Sequence, residues 1–309
     1  GYRTTIDRID YSNDTATAPA KGPLSSDRSN LAGTSARANG FVPIGPALVS
    51  NTAAVAGSFN PTTFGYFGGG HPGPKSTVDR IDYSNDTVAA SARGPLSVAR
   101  TSLSAASSSF FGYFAGGHPG SGKISTVDRV DYSNDTATSA AKGPLSVARS
   151  HLAGTGNSDF GYFGGGTPGP VSTVDRVDYS NDTATAAAKG PLTATRRYLA
   201  ATGNQSFGYF GGGRGDFNAK SSVYRVDYSN DTATAVEKGP LSVAKEHLTA
   251  TGNASFGYFG GGSPGPISTV NRIDYSNDTG TTSTKGPLSA IGNYLSATGN
   301  ANFGYFSGG

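Results

Sequence analysis

The chain alternates between short apolar or β-branched runs and tight polar turns. STVDRVDY (172–179) is rich in β-branched and aromatic residues and ends at the turn-forming Ser-Asn-Asp-Thr. ATAAAK follows and stops at Gly190-Pro191, where proline ends ladder pairing. A third run, YLAATGN (198–204), closes on Gly-Asn, and a fourth, FGYFGG (207–212), enters glycines that let the backbone turn sharply. Strand-like runs separated by turn signals every ~8–12 residues are the pattern of an all-β protein. No stretch carries a 3.6-residue apolar stripe with capping residues.

This four-run pattern recurs. DYSNDT begins at Asp10, Asp82, Asp131, Asp178, Asp227 and Asp274, and GPL follows each of those aspartates by twelve residues. FGYF begins at Phe64, Phe111, Phe160, Phe207, Phe256 and Phe303. The unit is therefore 47 or 49 residues, present six times, with 25 extra residues between Leu24 and Phe64. Four strands in each of six units is the arithmetic of a propeller. A solenoid also gives a fixed period, but it needs polar caps, and both ends here are ordinary repeats. The chain opens in the third strand of a unit (4–11) and stops after a second strand (303–306), so the two ends together complete one blade. The expectation is an all-β fold: a six-bladed β-propeller of four-stranded antiparallel blades, closed by N- and C-terminal strands that share one blade. One domain spans 1–309, with an insertion at about 35–63. That insertion carries Phe41, Val42, Ile44, Leu48 and Val55 and is expected to pack on the ring or on a neighbouring subunit.

Composition narrows the chemistry. There is no cysteine, so disulfides, thiolate metal sites and cysteine nucleophiles are excluded. No apolar run approaches the ~18 residues of a membrane-spanning helix, and no charged-then-apolar leader is present. Gly1 in place of a methionine points to a processed or truncated product. A net charge of +3 without Lys/Arg clusters gives no reason to expect nucleic acid. No GxSxG or HExxH string occurs, and among four histidines no Ser-His-Asp set can be read. The non-repeating carboxylates Asp27, Asp159, Asp216, Glu237 and Glu246 show no pairing of the glycosidase kind. The expectation is a protein with no catalytic residues, metal or cofactor.

Most repeated residues have a structural reading. Arg8, Arg80, Arg129, Arg176, Arg225 and Arg272 lie on one strand face two residues before the DYSNDT aspartate, and a repeated Arg and Asp are expected to pair between packed blades. Asp, Asn and Asp in DYSNDT lack the glycine-punctuated loop of a calcium site and read as a side-chain-stabilised turn. The same Asn-Asp-Thr spells a glycosylation sequon, joined by Asn204-Gln205-Ser206 and Asn253-Ala254-Ser255, and is read as a turn too. Arg214-Gly215-Asp216 is a chance tripeptide in a glycine-rich loop.

An aromatic strand ending in a glycine doublet (Tyr162-Phe163-Gly164-Gly165), a variable loop and a strand closing on Asp-Tyr resemble a Kelch repeat. Arg149-Ser150-His151-Leu152 is similar to the Arg-containing approach to the innermost Kelch strand, and the period is close to the family's ~50 residues. The tryptophan after the Tyr is missing, with Thr185 or Ala186 near its place. The near-identical units also resemble repeat proteins of phage and environmental bacteria, where they serve as virion or tail-fibre components.

Differences between the units point to a binding face, because copies diverge where the fold leaves them free. The loop after the glycine run varies, from HPGPK (71–75) and HPGSGKI (118–124) to RGDFNAK (214–220). The residue before the innermost strand varies as well: Asn30, Ser102, His151, Tyr198, His247 and Tyr294. Two residues earlier stand Arg28, Arg100, Arg149, Arg196 and Lys245, with Gly292 breaking the run. Both loop sets emerge at one mouth of the channel. The candidate rim is His151, Tyr198, His247 and Tyr294, flanked by Arg149, Arg196 and Lys245, with His71 and His118 on adjoining loops. The Kelch resemblance implies a partner-binding face at these positions. The expected function is a non-enzymatic structural or interaction protein, extracellular or on a virion surface, binding protein partners or glycans and other copies of its own assembly. The alternatives are an intracellular partner-binding or lectin-like Kelch domain of a larger protein and, last, an enzyme.

Overall fold

A computed structural model describes residues 2–35, 63–265 and 267–309. The runs form six antiparallel sheets set radially about one axis. Their innermost strands, Ala32–Ser35, Ser104–Ser107, Ala153–Gly156, Ala200–Gly203, Thr249–Gly252 and Ser296–Gly299, contact one another in a closed ring, the last packing on the first. Numbering blades from the first of these strands, the third reads inner strand, Phe160–Gly164, Val174–Asp178 and a short outer strand Ala187–Ala188. The sixth blade joins both chain ends: Ile6–Asp10 pairs with Phe303–Ser307, in the register Ile6 to Ser307 and Asp10 to Phe303. Its outer strand is reduced to a single bridge, Asp7 to Ala20. The propeller, and its closure by the two ends, are as the phase of the repeats predicts. The apolar residues of the insertion lie outside the described residues. Its described flanks are Ser35, which ends the first strand of the first blade and lines one end of the channel with Gly156 and Thr298, and Thr63, which precedes the second strand.

Each repeated motif is explained by the seam between blades. In FGYF, neighbouring residues face opposite sides of the sheet. Tyr162 therefore packs on the fourth blade and Phe163 on the second, both fully buried. The DYSNDT tyrosine of one blade stacks on the FGYF tyrosine of the blade before it, as in Tyr162–Tyr228 with ring centroids 4.5 Å apart. All six seams carry this stack, at 4.5–4.9 Å. A Cβ on Gly164 would lie 2.7 Å from the Phe210 ring, so glycine after FGYF makes room for the next blade's phenylalanine. A Cβ on Gly143 would fall inside the backbone carbonyl of Ala184, which fixes the glycine of GPL.

The seams are also charged. Arg176 lies 4.2 Å over the Phe160 ring and donates to Asp231 of the next blade at 2.7 Å, and the Tyr162 hydroxyl donates to the same oxygen at 2.9 Å. Lys189 adds a contact to the other oxygen at 3.3 Å. The expected Arg–Asp pairing between blades is present, but the partner is the second aspartate of DYSNDT. The first, as Asp178, instead accepts the Ser180 N–H and hydroxyl at 2.9 and 2.6 Å and caps the turn. That role lowers its pKa, chiefly through the Ser180 side chain.

Candidate functional site at the channel mouth

The turn before each inner strand brings six residues to one end of the axis. Asn30, Ser102, His151, Tyr198, His247 and Tyr294 all adopt left-handed backbone, with φ between 53 and 57°. Non-glycine residues seldom do so, and each such residue costs on the order of 1 kcal/mol unless its surroundings hold it. What holds these is a closed circuit of main-chain hydrogen bonds. The N–H of Ser102 donates to the Asn30 carbonyl, His151 to Ser102, Tyr198 to His151, His247 to Tyr198, Tyr294 to His247, and Asn30 to Tyr294, at 2.8–3.0 Å. The circuit uses only backbone, so it tolerates any side chain, and this is where the six copies differ.

Four of the six side chains form a continuous aromatic arc. His151 meets Tyr198 edge-on at 4.5 Å, and His247 lies 4.0 Å from both Tyr198 and Tyr294, ring centre to ring centre. The Tyr294 hydroxyl is 3.3 Å from His247 Nε2, and Ser150 Oγ is 3.1 Å from His151 Nδ1. Burial depresses both imidazoles, His151 to about 4 and His247 to about 3, with the neighbouring cations adding to the effect. Both rings are therefore neutral near pH 7. Asn30 and Ser102 leave the remaining third of the mouth open. Below the rim the channel is walled by small residues such as Ala153, Ala200 and Ala250, and this half encloses about 670 Å³ including its opening.

The three candidate cations do not join this rim. Arg149 and Lys245 are at most 1 % exposed and Arg196 is 7 % exposed. Each runs away from the axis into its own blade, where second-strand carbonyls and the third strand receive it. Arg149 donates to the Phe163 and Thr173 carbonyls at 3.2 and 3.0 Å and pairs with Asp175 at 2.8 Å. Arg196 donates to the Tyr224 hydroxyl and lies 5.2 Å over that ring. Lys245 donates to the carbonyls of Thr269 and Phe259, at 3.1 and 3.4 Å, and to no carboxylate among the described residues. Their spacing sets the backbone at the mouth, but the side chains turn into the blade, against the expectation that they flank the rim.

His71 and His118 lie on loops bridged to Ser29 and Thr101, beside the open third of the mouth. Each Nδ1 accepts a backbone N–H of its own loop, from Gly73 and Gly120, at 3.1 Å. The charges at the rim are ones the sequence does not assign to it: Arg197, Arg214 of the tripeptide and the carboxylate Glu246. Arg197 lies 5.3 Å over the Tyr198 ring, and Arg214 pairs with Glu246 at 3.3 Å. Their signal was present: the position before the aromatic one reads Ser29, Thr101, Ser150, Arg197, Glu246 and Asn293. Among the described residues no group of three His, Cys, Asp or Glu is placed to hold a metal ion.

Lys245 makes a testable prediction. Burial without a carboxylate drops its ammonium from 10.5 to about 8. The folded value lies below the unfolded one, so the charged form opposes folding. The cost is complete below about pH 8 and disappears as pH rises through 10.5. Lys245→Met should therefore stabilise the protein near pH 7 by on the order of 2–3 kcal/mol. The gain should shrink towards zero by pH 10.5, read from urea midpoints across that range.

No protein-family model matches the chain, and no curated protein sequence matches it.

Proposed function

We propose that this propeller is a non-catalytic binding module that seats a glycan on the aromatic arc at its channel mouth. The observation that carries this reading is the arc: the rings of His151, Tyr198, His247 and Tyr294 packed in succession on a rigid main-chain circuit. Aromatic faces receive the apolar face of a sugar ring, while Arg197, Arg214 and Glu246 at the edge suit its hydroxyls. With Arg149, Arg196 and Lys245 turned inward, an acidic peptide loses the cations that would have gripped it. The Kelch-like layout supports an interaction role at this face. The low charge and the absence of Cys and Met suit an exposed setting, outside a cell or on a virion.

A second reading, a protein partner, is favoured by Phe217. It stands 82 % exposed on the loop that supplies Arg214, and a large apolar side chain left in water there suits a protein contact.

Position 198 separates binding from folding. Tyr198→Ala removes the ring and keeps the backbone strain, whereas Tyr198→Gly removes both. The glycine variant should unfold later than the alanine variant by about 1 kcal/mol. Both should lose about tenfold or more in affinity for whichever neutral oligosaccharide wild type retains on a glycan array. An array on which wild type binds nothing, or on which both variants bind as wild type does, overturns the glycan reading. Phe217→Ala with loss of a protein partner and an unchanged array would select the second.

A further inference from the structure

Each blade has a buried slot for the cation that precedes the mouth residue, and the copies show what the slot holds. In the first blade Arg28 Nη2 donates to Asp79 Oδ2 at 2.6 Å, and Nη1 donates to the carbonyls of Gly69 and Thr77 at 2.8 and 3.1 Å. Asp79 also accepts the N–H and hydroxyl of Ser25. The second and third blades repeat the ion pair as Arg100–Asp128 and Arg149–Asp175. In the sixth blade everything but the cation is present. Asp7 is 6 % exposed and accepts the N–H and hydroxyl of Ser289 at 3.0 and 2.6 Å, as Asp79 does from Ser25. Thr5, Phe306 and Gly308 stand where Thr77, Phe67 and Gly69 stand in the first blade. The arginine position is Gly292. Its N–H and carbonyl make the same bridging bonds, to Ile267 and Gly262, that Arg100 makes to Lys75 and Gly70.

The space that the side chain would fill is a cavity. It is a small cleft lined by Thr5, Asp7, Gly292, Phe306 and Gly308, the equivalents of the groups that surround arginine in the other blades. Arg3 stands at its edge, where Nη1 is held by the Ile291 carbonyl at 2.8 Å. Asp7 makes no ion pair among the described residues. Burial raises its pKa, opposed by Ser289 and by the charge of Arg3.

We propose that the vacated slot of the sixth blade is a binding site for an alkylguanidinium group, supplied either by a free guanidinium compound or by an arginine side chain of another polypeptide. The planar ion would place one N–H edge on Asp7 Oδ2 and the other on the Thr5 and Gly308 carbonyls, the arrangement that Arg28 makes within its own blade. A compact ammonium reaches only part of this set, as Lys245 does in the fifth blade.

The test is thermal unfolding at constant ionic strength with millimolar ethylguanidinium, the capped tripeptide Gly-Arg-Gly, and ethylammonium as control. Wild type should show a saturable rise in melting temperature of about 2 °C or more with ethylguanidinium and a smaller one with ethylammonium. Asp7→Asn should weaken the response about tenfold or more. Gly292→Arg should fill the slot from within and abolish it. A Cβ there meets only the Leu295 side chain, at 3.0 Å, so the substitution asks little of the backbone. A response to the tripeptide as well assigns the site to arginine side chains, and a response to ethylguanidinium alone assigns it to a free ligand. No saturable response in wild type, an equal response to ethylammonium, or one that survives in Asp7→Asn overturns the proposal. Asp7→Asn decides the matter even if Gly292→Arg does not fold.

Discussion

Deleting residues 303–309 is expected to abolish the folded ring rather than fray its end. Phe303–Ser307 is the middle strand of the sixth blade, paired with Ser296–Gly299 on one side and Ile6–Asp10 on the other. Without it those two strands have no common partner. The loss also takes Tyr305 and Phe306, 0 and 2 % exposed. Tyr305 stacks on Tyr83 at 4.8 Å and donates to Asp86 at 2.9 Å, so it ties the sixth blade to the first. Phe306 sits with Tyr258, Val270 and Leu288 in the seam with the fifth blade. Burial of two large side chains contributes about 3–6 kcal/mol, and the tyrosine stack about 1 kcal/mol more. Together with the lost ladder bonds this consumes most of a typical folding free energy of about 5–15 kcal/mol, and it bares two strand edges. The truncated protein should lose its near-ultraviolet tyrosine dichroism and elute as aggregate in gel filtration. A monomer with an unchanged melting temperature would mean that the ring does not depend on this blade.

The fold was legible because the same physical problem is posed six times. Repeat length, strand count and the complementary phase of the two ends required only periodicity, and the arginine, DYSNDT and FGYF residues of the seam were identifiable as structural because they do not vary between copies. The side-chain geometry was less legible. Arg176 and two aspartates, Asp178 and Asp182, lie within seven residues, but its partner is Asp231 in the next blade, a choice made by the stacking of whole sheets. At the mouth, sequence located the variable position but not its left-handed backbone. Asn30 and His151 are residue types that tolerate that conformation, whereas Tyr198 and Tyr294 give no such hint. Nor did spacing alone separate side chains that point at the axis from those two residues earlier that turn into the blade. The copies did hold that information. The position two strands away that receives the buried cation reads Asp79, Asp128, Asp175, Tyr224, Asn271 and Asp7, and in the fifth blade it changes together with the cation, Lys245 with Asn271, a trace of an inward contact and not of an open rim.

The buried ion pair of the third blade carries the second large effect. Asp175→Ala should destabilise the protein by about 3–5 kcal/mol, because it leaves the Arg149 guanidinium buried without its counter-ion. The pair is 2.8 Å apart with its side chains 1 and 0 % exposed, so neither water nor salt can replace the lost carboxylate. Asp175→Tyr should be milder. In the fourth blade Tyr224 serves this role by accepting from Arg196 at its hydroxyl and facing it with its ring. Ser146 gives both its N–H and its hydroxyl to Asp175 and would be stranded by either change. The fourth blade has Thr193 there, whose hydroxyl turns to the Ala235 carbonyl, so Ser146→Thr combined with Asp175→Tyr should recover further stability. The expected order of guanidinium-chloride midpoints is wild type, then Ser146→Thr/Asp175→Tyr, then Asp175→Tyr, with Asp175→Ala lowest. If Asp175→Ala falls within about 1 kcal/mol of wild type, Arg149 can reach solvent when its partner is removed. The cation would then be able to return to the rim from which this structure excludes it.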